Sequence, residues 1–176
     1  MSSTAEQTAV PTGTWKADPV HSSVSFEVPY AVNTFTATVP EFEATLADGK
    51  LTGVGRVESL KVMAEDMQAH LQSPEFFDLE RHPEVRFESN DFRRGGDNVE
   101  IDGELTVKGI TKPVTLKGTI TGPTVDHFGA NRVGLKLETV VDRTQFAMNW
   151  NMPLPSGEGA LSNDVTLKAD LTLVGQ

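Results

Sequence analysis

Residues 103–123 read GELTVKGITKPVTLKGTITGP, and they follow directly on Val99, Glu100, Ile101 and Asp102. Val99, Ile101, Gly103, Leu105 and Val107 alternate with Glu100, Asp102, Glu104, Thr106 and Lys108. Val114, Leu116, Gly118 and Ile120 then alternate with Thr115, Lys117, Thr119 and Thr121. A period of two, rich in Val and Thr, predicts half-buried antiparallel strands. The break from Gly109 to Pro113 has turn chemistry: Gly109 permits positive φ, and Pro113 is expected to begin the next strand rather than sit within it. The stretch therefore predicts a β-hairpin with one apolar and one polar face.

The same pattern recurs on both sides. Val24, Phe26, Val28 and Tyr30 share a face, as do Phe35, Ala37 and Val39, and then Phe42, Ala44 and Leu46. Asp48-Gly49 is a hairpin signal. Residues 51–62 predict one long strand. From Met63 to Leu79 the period lengthens: Met63, Met67 and Leu71 recur at i, i+4, which predicts an amphipathic helix. Ser73-Pro74 is placed to open a second short turn, with Ser73 as its N-cap. Strands resume at Val85 and Phe87. Val133, Leu135, Leu137, Thr139 and Val141 form one face, and Val165, Leu167, Ala169, Leu171 and Leu173 another. Trp15 is expected to pack across one end of the sheet.

The fold class expected from this is all-β with one helical insertion. About eight sequential amphipathic strands suit an up-and-down meander that closes into a barrel and so removes its edges. A two-sheet sandwich would give the same alternation.

The chain has 176 residues, 38% of them hydrophobic and 23% charged, which fits a single globular domain over residues 13–176. Residues 1–12 read as a disordered leader without the basic and apolar regions of a signal peptide, so the expected location is cytoplasmic. A net charge of −10 argues against a nucleic-acid partner. No run approaches the roughly 18 apolar residues of a membrane helix, so no stable membrane insertion is expected. With no cysteine, disulfides and thiolate metal sites are excluded.

Residues 103–114, GELTVKGITKPV, resemble the signature hairpin of the YceI-like family, the polyisoprenoid-binding proteins. Three further stretches resemble the family in the same order. Residues 18–28 resemble its D-x-x-H-S-x-V-x-F-x-V opening. Residues 70–78 and 82–87 resemble its H-L-x-S-x-x-F-F…P-x-x-x-F segment, and residues 142–146 its R-x-x-F-G stretch. The resemblance runs from about Trp15 to Val174. It implies an eight-stranded, lipocalin-like barrel with a helical segment near one end and an apolar channel for an isoprenoid chain. It implies no cofactor beyond that lipid, and it allows a homodimer. The sequence departs from the family pattern at Tyr30, where His is usual, and at Ala37 and Ala147, where Gly is frequent. Met67 and Gln68 replace an Arg-Asp pair, so the resemblance carries the fold further than it carries head-group recognition.

A channel for an apolar chain needs an apolar wall and few polar anchors. The expected wall from the first strands is Phe26, Val28, Val39 and Phe42. The middle strands add Phe87, Leu105, Val107 and Leu116, and the later ones Leu135, Leu137, Phe146, Leu167 and Leu171. Met67, Leu71, Phe76 and Phe77 form an expected lid, Met being adaptable to varied apolar shapes. Arg143 and Tyr30 are the candidate polar anchors, although an Arg so placed more often pairs with a carboxylate such as Asp142 or Asp18. No catalytic set and no metal set stands out: His21, His70, His82 and His127 lack ligand spacing. The expected function is binding, carrying or storing a polyisoprenoid or isoprenoid quinone. The alternatives are an enzyme inside the barrel, using Asp18, His21 and Arg143, or a packed domain with no cavity.

Overall fold

The computed structural model describes residues 9–63 and 65–176. Among these are ten β-strands: β1 (Thr14–Ala17), β2 (Ser23–Tyr30), β3 (Asn33–Thr38), β4 (Phe42–Ala47), β5 (Lys50–Arg56), β6 (Glu84–Gly95), β7 (Asn98–Val107), β8 (Ile110–Val125), β9 (Asn131–Asp142) and β10 (Asp164–Gly175). One α-helix, α1 (Glu65–Gln72), lies between β5 and β6. Residues 1–8 of the expected leader lie outside the described residues. Of its remainder, Pro11 is buried and the Thr12 carbonyl accepts a hydrogen bond from Trp15 Nε1 at 2.9 Å.

All pairing is antiparallel, and the sheet closes on itself. β1 pairs with β4 on one side and β10 on the other, while β2 pairs with β10 and β3. β1 and β2 are thus two halves of one barrel stave, and β3 and β4 of the next. The eight staves run in sequence order and close from β10 back to β1. Pro19 lies in the first break and Pro40 in the second. A residue without an N–H cannot serve a central ladder, and the chain bends there.

The opening hairpin forms β7 and β8, but its turn is shorter than expected. Only Lys108 and Gly109 lie between the strands, with φ of 55° and 75°. Pro113 lies inside β8, opposite Glu104. It is tolerated because β9 begins to pair with β8 only at Lys117, so this part of β8 has one neighbour. The expected strand over 51–62 is also corrected: β5 ends at Arg56, and a 3₁₀ turn at Val57–Ser59 leads the chain off the sheet. The helix is one segment. The Ser73 hydroxyl donates back to the His70 carbonyl at 2.6 Å, closing α1 rather than capping a second helix. Met63 falls before the helix and is fully exposed.

Alternation along each stave puts one face inside. In β7 the inward set is Val99, Ile101, Gly103, Leu105 and Val107, all buried. The interior divides into two clusters along the barrel axis. One end carries the short β4–β5, β6–β7 and β8–β9 hairpins. It is packed by Trp15, Leu46, Leu51, Ile101, Ile120, Val133, Leu135 and Leu173. The other end carries the β2–β3 hairpin, the α1 connection, the β7–β8 hairpin and the long β9–β10 connection. Its buried residues include Phe26, Val28, Val57, Leu60, Leu71, Phe76, Leu105, Val107 and Phe146. Phe87 packs against both clusters.

Candidate functional site

The second half of the barrel is hollow. It encloses a cavity of about 250 Å³ whose wall is almost entirely carbon. For scale, an apolar cavity of about 150 Å³ takes a benzene ring. The staves supply its sides: Phe26, Val28 and Tyr30 from β2, Phe35 from β3, Phe42 from β4, Leu105 and Val107 from β7, Leu116 from β8, Leu137 from β9 and Leu167 from β10, with Val39 from the break before β4. Phe87 of β6 sits at the boundary between the two halves. A Cβ at Gly103 would lie 2.5 Å from the Glu88 carbonyl oxygen and 2.6 Å from the Phe87 ring, so glycine is what lets β6 and this ring approach β7 so closely. Phe87 forms the floor together with Ala44, Leu51 and Leu171, which belong to the packed cluster and also line the cavity.

The connections between staves make the roof. Met67 and Leu71 of α1 reach the cavity, as do Phe76 and Phe77 in the turns that follow. The Phe77 and Phe26 rings stand 5.7 Å apart, tying roof to wall. Trp150 packs edge-on to His70 with centroids 4.5 Å apart, and close to Phe76 at 5.8 Å. His70 is in turn bonded through Nε2 to Glu75 Oε2 at 2.6 Å. The helical insertion and the β9–β10 connection therefore meet over one opening.

Of the wall residues expected from the sequence, Leu135 does not line the cavity. It is fully buried in the packed half, opposite Leu171 of β10. Alternation finds the inward face of a stave, but it says nothing of position along the barrel axis. Conversely, Val57, Leu60, Met148, Trp150 and Leu161 line the cavity without having been singled out. They lie in connections without periodicity. The local signal for two of them was the pairing of Met148 and Trp150 just after the Asp142–Phe146 motif.

Arg143 is 4% exposed, in a 3₁₀ turn (Arg143–Phe146) whose start is capped by the Asp142 carboxylate, 2.9 Å from Thr144 N. It lines the cavity, but its bonds run to backbone. Nε donates to the Ser162 carbonyl at 2.8 Å. Nη1 donates to those of Met148 and Trp150, both at 2.7 Å, and Nη2 to Leu161 at 3.3 Å. The expected carboxylate partner is corrected: among the described residues Arg143 has none within ion-pair distance. Burial draws its pKa below the ordinary arginine value, with Asp142 opposing. A guanidinium has about five N–H donors in a rigid fork. Here the fork holds both ends of the β9–β10 connection over the cavity. Asn151 closes the same connection, donating to the Leu161 carbonyl and accepting from Leu161 N.

Asp18 and His21 lie elsewhere. His21 Nδ1 is 2.8 Å from Asp18 Oδ2, and the same carboxylate accepts from Val20 N and from Arg132 Nη1. Arg132 Nε reaches on to Asp126. The cluster ties the break between β1 and β2 to the start of β9, on the outside of the packed half. Bonding to His21 first, then to Arg132 and Val20 N, lowers the Asp18 pKa to about 2. Asp126 is lowered to about 2 chiefly by Arg132. Neither Asp18 nor His21 lines the cavity, so the three groups of the enzyme alternative do not converge in it. Among the described residues no group of His, Cys, Asp and Glu is arranged to hold a metal.

A barrel of eight staves, packed with side chains at one end and hollow at the other, defines a calyx-shaped, lipocalin-like fold. The chain belongs to the YceI-like domain family, whose model matches residues 15–173. A UPF0312 protein of Pectobacterium atrosepticum is 29% identical over 135 residues, 77% of this chain and 67% of the relative. A UPF0312 protein of Pseudomonas putida is 33% identical over 60% of this chain, and the match spans about half that relative's length, 51%. Among solved structures, Burkholderia cenocepacia BcnA superposes with a TM-score of 0.70 at 16% identity, covering 89% of this chain and 98% of that one. A polyisoprenoid binding domain from Saccharophagus degradans, implicated in plant cell wall breakdown, gives 0.72 at 9% identity, covering 94% and 100%. At these identities the structural likeness shows the shared fold.

Proposed function

We propose that this protein binds a long amphiphilic lipid, a polyisoprenoid or isoprenoid quinone, and carries or stores it with the apolar tail in the barrel. The single observation that supports this is the carbon-walled cavity in one half of an otherwise packed interior. Burying a CH₂ is worth ~0.8 kcal/mol, so one five-carbon isoprene unit gains ~4 kcal/mol at most. Two or three buried units reach the ~8 kcal/mol of micromolar affinity, which head-group contacts need not supply. In this reading the polar end of the lipid meets Tyr30, and Arg143 through the donor capacity its four backbone bonds leave free. The fold shared with a polyisoprenoid binding domain is in keeping with the same ligand class.

The two tryptophans provide the test. Trp150 lines the cavity and Trp15 lies in the packed half. Titration with a short-chain isoprenoid quinone is expected to quench Trp150 fluorescence saturably. Trp15→Phe should keep the quenching and Trp150→Phe should lose it. Quenching that is linear in quinone, or equal in the two variants, would overturn the reading.

A further inference from the structure

We infer that the protein docks on a neutral lipid bilayer through one side of its open end, by the β2–β3 hairpin tip and the β9–β10 connection. This rests on the lipid-carrying reading above.

The first observation is the distribution of charge. Almost a quarter of the chain is charged, yet residues 28–40 and 147–157 contain no Asp, Glu, Lys or Arg. The fold brings these two stretches together. Ala31 N donates to the Ala160 carbonyl at 2.8 Å, Ser162 N to the Pro29 carbonyl at 2.9 Å, and Ala160 N to the Met152 carbonyl at 2.8 Å. The hairpins of the packed end differ: their turns carry Asp48 beside Lys50, Asp97 beside Arg94, and Asp126 beside Arg132. Two charged residues border the two stretches: Lys108, whose Nζ donates to the Ala147 carbonyl at 3.0 Å, and Glu158, whose carbonyl accepts from Leu154 N at 2.7 Å in the turn of the connection.

The second observation is the hairpin tip. Ala31 has φ of 50°, a conformation that Gly or Asn adopts at less cost. Val32 beside it is 97% exposed, and Met152 is 51% exposed. Neither side chain is buried where it stands. Stability alone would favour Gly at the Ala31 position of such a tip.

The third observation is continuity. Val28, Tyr30 and Phe35 flank the tip and line the cavity, as do Met148, Trp150 and Leu161 of the connection. The uncharged surface is therefore the outer rim of the carbon-walled space. A tail leaving a bilayer here would pass from hydrocarbon to cavity over the residues of these two uncharged stretches. Two narrow protruding tips suit insertion between lipid head groups better than contact with a flat protein face. With a net charge of −10, attachment by attraction to anionic lipid is disfavoured. Docking should therefore be apolar, insensitive to salt and strongest on zwitterionic lipid.

The test is flotation with phosphatidylcholine vesicles at low and high salt, using the full chain and Val32→Asp/Met152→Asp. Phe128→Asp, at an exposed apolar position on the packed end, is the control. The chain and the control are expected to float equally at both salts, and the double variant about tenfold less. Trp150 quenching by a soluble short-chain quinone should be unchanged in the double variant, which also shows it folded. Absence of flotation, equal flotation of all three, or binding that requires anionic lipid and falls with salt would overturn the inference. So would a dimer that the double variant converts to monomer, because the patch would then be a contact between copies. Flotation that depends on Val32 and Met152, in a protein whose Trp150 no quinone quenches, would sustain docking while ending the carrier reading.

Discussion

Adding a ring to the barrel interior separates a hollow half from a packed one. Val107→Phe places a ring against the cavity, and Val133→Phe places the same ring in the packed half, where Val133 is fully buried. The change adds about four carbons, worth up to ~3 kcal/mol if they find room without strain. At Val107 the cavity of about 250 Å³ has that room. At Val133 the ring must displace close-packed neighbours, at a cost of about 1–3 kcal/mol. For a chain of this length 1 kcal/mol moves Tm by roughly 2–4 °C. Thermal melts followed by circular dichroism should show Val133→Phe melting several degrees below the parent and Val107→Phe at or above it. Val107→Phe should also bind an isoprenoid quinone at least tenfold more weakly. The ring occupies about the room of one isoprene unit, whose loss could cost up to ~4 kcal/mol. If both variants lose the same stability, the space beside Val107 is not open and the reasoning fails.

Arg143→Met leaves the carbonyls of Met148, Trp150 and Ser162 without their donor, while that of Leu161 keeps Asn151 Nδ2. At about 1–3 kcal/mol per buried orphan, part of it relieved by water, urea titration should show a loss of about 3 kcal/mol or more, and Arg143→Lys should restore little of it. Gly118→Ala puts a Cβ 1.6 Å from the Lys136 carbonyl oxygen, forcing β8 from β9; chemical denaturation should show a loss of at least ~3 kcal/mol, and a loss under ~1 would contradict that packing. Asp18 and Asp126 are held near 2, below their ordinary 3.8, so their contribution is complete above pH 3.8 and is lost as pH falls toward about 2. The melting temperature should drop across that window, and Asp126→Asn should melt lower at neutral pH with a shallower acid limb; an unchanged acid limb would contradict the assignment.

Strand order and inward faces were legible because alternation is local. β7 reads Val99, Ile101, Gly103, Leu105 and Val107 inward, as its sequence implies. Asp48-Gly49 marked the β4–β5 turn, with φ of 50° and 83°. Pro113 misled because its tolerance depends on where β9 stops pairing, a fact set far along the chain. Arg143 misled in the same way: its partners are carbonyls of residues 148–162, and backbone groups leave no mark in a sequence. Leu135 shows the limit of the wall prediction, since height along the axis depends on stave register. Ala147, where related sequences were expected to carry Gly, does take the left-handed conformation, with φ of 59°.

The most direct measurement is the intact mass of freshly purified protein under non-denaturing conditions, followed by organic extraction and mass analysis of whatever is released. A bound apolar chain, near one per polypeptide and displaced in Val107→Phe, is the predicted result. A bare polypeptide mass, unchanged after incubation with polyprenol or isoprenoid quinone, would contradict it.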